Sequence, residues 1–181
     1  MTHDIAALTA RVSALENERL VSACMHRYMR LCDDLNVDTD LQPLLELFTS
    51  DAVWEGEGDY YRKKLGRHIG VAAIGDMFAR YTRPPAHFRF NLHVLGNEVI
   101  HVADNTAQGQ WVLVQPSDFT SGLSHLNAAQ INADFKFHNG HWRISHFRTR
   151  NLFSRAMSTP WQQGESVPVP PATTAKESTH E

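Results

Sequence analysis

The sequence predicts an α+β domain, with helices packed on one side of a curved, mainly antiparallel sheet. Three observations carry this. Up to Tyr81 the apolar residues mostly recur at helical spacing. From Phe88 the period changes to two, and the chain reads as successive strands. Asn139-Gly140 joins the last two of these, a strong hairpin signal. Helices first and antiparallel strands afterwards is the order of an α+β fold.

Taken in order, Ile5, Leu8, Val12 and Leu15 mark a short amphipathic helix, with too few heptads for a coiled coil. Leu20, Val21, Cys24, Met25, Tyr28, Leu31 and Cys32 form a second, stronger stripe. The run from Asp33 to Asp38 ends it with poor helix formers. Asp40 is placed to cap a helix through Leu41, Leu44, Leu45, Leu47 and Phe48. Ala52 to Glu55 reads as a short strand, Gly56 to Tyr61 as a glycine-containing turn, and Val71 to Tyr81 as a helix stopped by Arg83-Pro84-Pro85. Strands are expected over 88–95, 98–102, 107–114, 128–137 and 141–150. The expected organisation is a single domain over 1–155, with 1–16 an N-terminal extension helix, and a proline-rich disordered tail over 156–181.

The chain has 181 residues, 42% of them hydrophobic, which suits one globular core. A net charge of −3 with mixed signs argues against a nucleic-acid partner. The one basic cluster, Arg62-Lys63-Lys64 with Arg67, reads as a solvated loop. No apolar run is long enough to span a membrane and no signal peptide is visible, so a cytoplasmic protein is expected. The two cysteines, Cys24 and Cys32, read as buried thiols. His87, His93 and His101 lack zinc-site spacing, and no phosphate loop, dinucleotide fingerprint or nucleophile elbow occurs.

The strings ENERLVSACMHRYMRLCDD, DLQPLLELFTSDAVWEGEG, GVAAIGDMFARY, HVLGNEVIHV and NGHWRISHF, in this order, resemble the SnoaL-like branch of the nuclear-transport-factor-2-like superfamily. The resemblance covers roughly residues 15 to 150. It implies a cone-shaped, cystatin-like α+β barrel, with helices wrapped by a strongly bent mixed sheet and a pocket inside. Family members include cofactor-free dehydratases, dehydrochlorinases, isomerases and cyclases, lyases of lignin-derived aromatics, and small subunits of ring-hydroxylating dioxygenases. Such proteins commonly form dimers or trimers, so a homo-oligomer is expected.

The candidate base is His93. Strand alternation puts Phe88, Phe90, Leu92 and Val94 on one face, fit to pack under the helices. Arg89, Asn91, His93 and Leu95 share the other, suited to solvent or to a polar pocket. In dehydratase-like and dehydrochlorinase-like relatives a histidine at the matching place acts as base, and a neutral imidazole suits that role. A carboxylate would orient it. The family pattern, counted from Tyr28, points to Asp33, with Asp34 and Asp38 open as partners because residues are inserted before Leu41. Tyr28 is either a hydroxyl that polarises a substrate oxygen or a core tyrosine. The resemblance puts Trp54, Tyr60 and Tyr61 near the pocket mouth, suited to an aromatic ligand.

On the last strand Trp142, Ile144, His146, Arg148 and Arg150 share a face that starts apolar and becomes cationic. His146 and Arg148 are therefore candidate pocket residues, Arg148 as a grip for a carboxylate, phenolate or oxyanion; an exposed strand end or subunit contact is the competing reading. Trp111 and Asn132 are further pocket candidates. The second active-site histidine of scytalone dehydratase would fall near Gln115 or Ser117, which argues against that reaction. The leading expectation is a cofactor-independent lyase or isomerase. It would use an Asp–His pair to take a proton from an apolar, aromatic small molecule, with loss of water or formaldehyde. It would belong to aromatic-compound catabolism. The alternative is a non-catalytic ligand-binding or oligomer-subunit protein.

Overall fold

The computed structural model describes residues 2–163. α1 (Thr2–Asp33) is one continuous helix, not the two expected. No glycine or proline interrupts it, and Ala, Leu, Glu and Arg support it throughout. The two apolar stripes fall on different sides of that helix. Val12 and Val21 are nine residues apart, about 180° at roughly 100° per residue. Val21, Met25, Tyr28, Met29 and Cys32 are buried, whereas Ile5, Leu8, Val12 and Leu15 are exposed.

The segment after α1 is only briefly helical. α2 (Gln42–Leu45) gives way to β1 (Phe48–Glu57), because Phe48 is already paired with the last strand. Asp40 does accept the Gln42 N–H at 2.9 Å. The expected turn at 56–61 becomes α3 (Gly58–Leu65), followed by β2 (Arg67–Ile69) and α4 (Val71–Phe78). The remaining strands are β3 (Phe88–Asn91), β4 (Val94–Ala103), β5 (Thr106–Phe119), β6 (Ser124–His138) and β7 (His141–Met157). A 3-10 turn at Trp161–Gln163 follows. β7 and this turn occupy the start of the stretch expected to be disordered; residues 164–181 lie outside the described residues.

The seven strands form one sheet in the order β2-β1-β7-β6-β5-β3, with β4 also paired to β5. β1 and β7 are parallel and every other pair is antiparallel. The β6–β7 hairpin turns at Asn139-Gly140, both with positive φ (51° and 80°), as a two-residue primed turn requires. α1 and α4 cover the concave face, and a single core joins them to the sheet. The mixed, mainly antiparallel sheet wrapped around helices is the expected cone.

Two irregularities shape the cavity. β3 and β4 are not one strand: the chain leaves the ladder at Leu92 and His93. β7 carries a bulge opposite β6: Phe135 pairs with Ile144 but Asp134 pairs with His146, so Ser145 is the extra residue. One added residue switches which side chains face inward.

Candidate active site

The expected acid and base meet. His93 Nδ1 lies 2.6 Å from Asp33 Oδ1. The same oxygen accepts the His93 main-chain N–H at 2.7 Å. That second bond exists because His93 sits in the break between β3 and β4, where its N–H has no ladder partner. His93 was expected inside a strand; the interruption is what lets one carboxylate oxygen hold both its ring and its backbone. Asp33 is the last residue of α1, so the negative end of that helix also faces the imidazole. Both side chains are largely buried, 12% and 18% exposed.

The helix end is tied to the sheet by Asn91. Its Nδ2 donates to the Cys32 carbonyl at 3.2 Å, one of the carbonyls an α-helix leaves unpaired at its C-terminus. Its Oδ1 accepts from Gln115 Nε2 at 2.8 Å and from Ser117 Oγ at 2.7 Å. This network fixes the end of α1 against β3 and β5, two residues from His93.

His93 lines a cavity of about 610 Å³, within the usual range of small-molecule sites. Its walls are mostly apolar and aromatic, among them Met29, Trp54, Phe78, Phe88, Leu113 and Phe147. Tyr28, Trp54, Tyr60 and Tyr61 line it too. Trp54 Nε1 donates to Tyr28 Oη at 2.9 Å, and its ring stacks on Phe147 with centroids 5.5 Å apart. Burial pushes the Tyr28 hydroxyl well above the ordinary tyrosine range, so it stays a protonated donor. Burial likewise pushes the neighbouring Cys32 thiol up to about 12.

Four expected pocket residues are placed elsewhere. The β7 bulge turns Phe147 and Thr149 toward the cavity, and His146 and Arg148 away from it. His146 Nε2 pairs with Glu55 at 2.6 Å, and Arg148 with Asp134 at 2.7 Å. Arg148 lines a separate polar pocket on the other side of the sheet, with Asn132. Trp111 is core: 1% exposed, its Nε1 bonded to Glu98 at 2.7 Å. The expected packing of Leu92 and Val94 under the helices also fails, since both are exposed while Asn91 is buried.

Sequence reasoning missed Asn91, Lys64, His87 and His125, all of which line the cavity. For Asn91 a signal existed: it shares the alternation of His93. Partial burial holds the His87 ring below the ordinary histidine range. Among the described residues no group of three or more His, Cys, Asp or Glu is placed to hold a metal, and no helix is long and apolar enough to cross a membrane.

The SnoaL-like domain family matches residues 13–148. Among solved structures, a candidate scytalone dehydratase from Novosphingobium aromaticivorans is 16% identical, covering 83% of this chain and 97% of its own at a TM-score of 0.67. An NTF2-like protein with a cystatin-like fold from the same organism is 21% identical, covering 80% and 88%, with a TM-score of 0.62. The hexachlorocyclohexane dehydrochlorinase LinA-type3 from Novosphingobium barchaimii is 17% identical, covering 93% and 100%, with a TM-score of 0.54. Comparison with curated proteins gives no match.

Proposed function

This chain belongs to the SnoaL-like domain family, and on that footing we propose that it is a lyase or isomerase working without a cofactor on an apolar, aromatic small molecule. The observation that carries the reading is the Asp33–His93 pair at 2.6 Å beside an open, aromatic-walled cavity. Asp33 accepts the Nδ1–H, which leaves Nε2 as the basic nitrogen. Nε2 takes a proton from a carbon of the bound molecule, and the imidazolium that forms is stabilised by Asp33 and by the end of α1. Negative charge developing on the substrate is met by the Tyr28 O–H, whose oxygen already accepts from Trp54. The electron pair then expels water or formaldehyde, or is reprotonated at another carbon. A cavity this open supports catalysis over the filled or inert pocket of a pure assembly subunit.

We also read the protein as a cytoplasmic homo-oligomer. Ile5, Leu8, Val12 and Leu15 are exposed at a–d spacing on α1. A second copy packed against this short apolar side would cover it.

The catalytic reading is tested with aromatic ketones and hydroxymethyl-bearing aromatics that carry an acidic C–H, followed by release of water or formaldehyde and by deuterium uptake from D2O. One positioned base contributes about 10²–10⁴ in rate, so His93→Ala and Asp33→Asn should each lose turnover on that scale. Full turnover in both variants, on a substrate the wild type consumes, would end the proposal.

A further inference from the structure

The cavity lining is electrically one-sided. The chain has 20 acidic residues and a net charge of −3, yet among the described residues no aspartate or glutamate lines the cavity. Lys64 does, together with His87, His93 and His125. Lys64 ends the basic cluster that reads from sequence as a solvated loop. α3 gives that cluster a direction. Arg62, Lys63 and Lys64 are all exposed and Arg67 is paired with Glu55 at 3.5 Å, but of these four only Lys64 also lines the cavity, beside Tyr60, Tyr61 and Leu65. Among the described residues Lys64 has no ion pair. An ammonium without a carboxylate, beside aromatic walls, is a recognition element for a negative group on an apolar ligand.

We infer that the cavity takes an aromatic carboxylate, with Lys64 as the specificity-determining residue that meets the carboxylate. This rests on the proposed small-molecule reading of the same cavity and names the substrate class within it. A single lysine suits one negative charge. The carboxylate belongs with α3 and not beside Asp33, whose charge would repel it. The aromatic body then occupies the space lined by Phe78, Phe88, Phe119 and Phe147, and the reacting carbon faces His93.

The test is direct binding of three probes with one aromatic body, by calorimetry at low salt: 2-naphthoate, the neutral 2-naphthamide and the cationic 2-naphthylmethylammonium. The acid is expected to bind the wild type about fivefold more tightly than the amide, the scale of one solvent-accessible ion pair. K64M should remove that difference. Lys64→Glu should shift preference toward the ammonium, while the amide binds all three proteins alike. Equal binding of acid and ammonium to the wild type, no binding of any probe, or an acid-to-ammonium ratio unchanged in Lys64→Glu overturns the inference. His93→Ala separates the two readings. It should bind the acid as the wild type does while losing turnover, so either can fail without the other.

Discussion

Replacing Asp33 by alanine removes the acceptor of two hydrogen bonds, from the His93 ring at 2.6 Å and the His93 backbone at 2.7 Å. A hydrogen bond to a charged group is worth about 1.5–3 kcal/mol. With Asp33 18% exposed, the low end applies to each. The variant should therefore lose about 3 kcal/mol of stability. His93→Ala removes only the ring bond and the packing of the ring, since residue 93 keeps its main-chain N–H, so about 2 kcal/mol is expected. In the double variant the ring bond is not lost twice. The loss should fall short of the sum by the value of that bond, about 1.5 kcal/mol. Urea unfolding measures all four corners of the cycle. At a slope of about 2 kcal/mol/M the midpoint of Asp33→Ala should fall by roughly 1.5 M. Losses that add to within about 0.5 kcal/mol would refute the pairing, because independent sites behave that way. Asp34→Ala should shift the midpoint little, since the carboxylate holding His93 is that of Asp33.

Other consequences can be measured separately. Trp54→Phe keeps the stack on Phe147 but leaves the buried Tyr28 oxygen without its donor, so a loss of about 1–2 kcal/mol is expected in urea unfolding. Gly109→Ala should be among the most damaging single changes, about 3 kcal/mol or more. An added Cβ would lie 2.0 Å from the Trp111 ring, which is buried and cannot yield; circular dichroism melting reads this. Cys24 and Cys32 are each pushed up to about 12 by burial, so both should resist a thiol reagent at pH 8 until denaturant is added. The same shift sets a pH dependence. The folded thiols keep their protons while those of the unfolded chain ionise above about 9, so stability falls as pH rises from 9 toward 12, by up to about 1.4 kcal/mol per unit for each thiol. Leu8→Glu with Leu15→Glu should reduce the assembled mass in sedimentation if a second copy covers the exposed seam of α1.

What the sequence shows and what it conceals divide along periodicity. The hydrophobic period identified both halves of α1 as helical but not their continuity, together with α4 and the strands of the β4–β7 meander, and Asn139-Gly140 located a hairpin that the structure contains. These are regular elements, each defined by its own residues. The site depends instead on two places where regularity stops, and neither is visible to a method that counts periods. Between β3 and β4 the apolar and polar residues alternate without a flaw from Phe88 to Val94, yet the ladder opens at Leu92 and His93. The cause is tertiary: the carboxylate at the end of α1 supplies the acceptor that a neighbouring strand would otherwise provide. On β7 the alternation of Trp142, Ile144, His146 and Arg148 is just as regular in the sequence. Trp142 and Ile144 are buried, and the bulge at Ser145 then gives the inward positions to Phe147 and Thr149. The pattern itself carried a trace of this, because Phe147 is the first large apolar residue that a strict alternation after Ile144 would send outward. Reading the slip there removes Arg148 as a cation for the pocket. Lys64, on a helix the sequence presents as a turn, is then the one ammonium or guanidinium among the described residues that line the cavity. The proposed base and its carboxylate partner were thus legible as residue types in family order, while the exclusion of Arg148 from the cavity depends on a single inserted residue in β7.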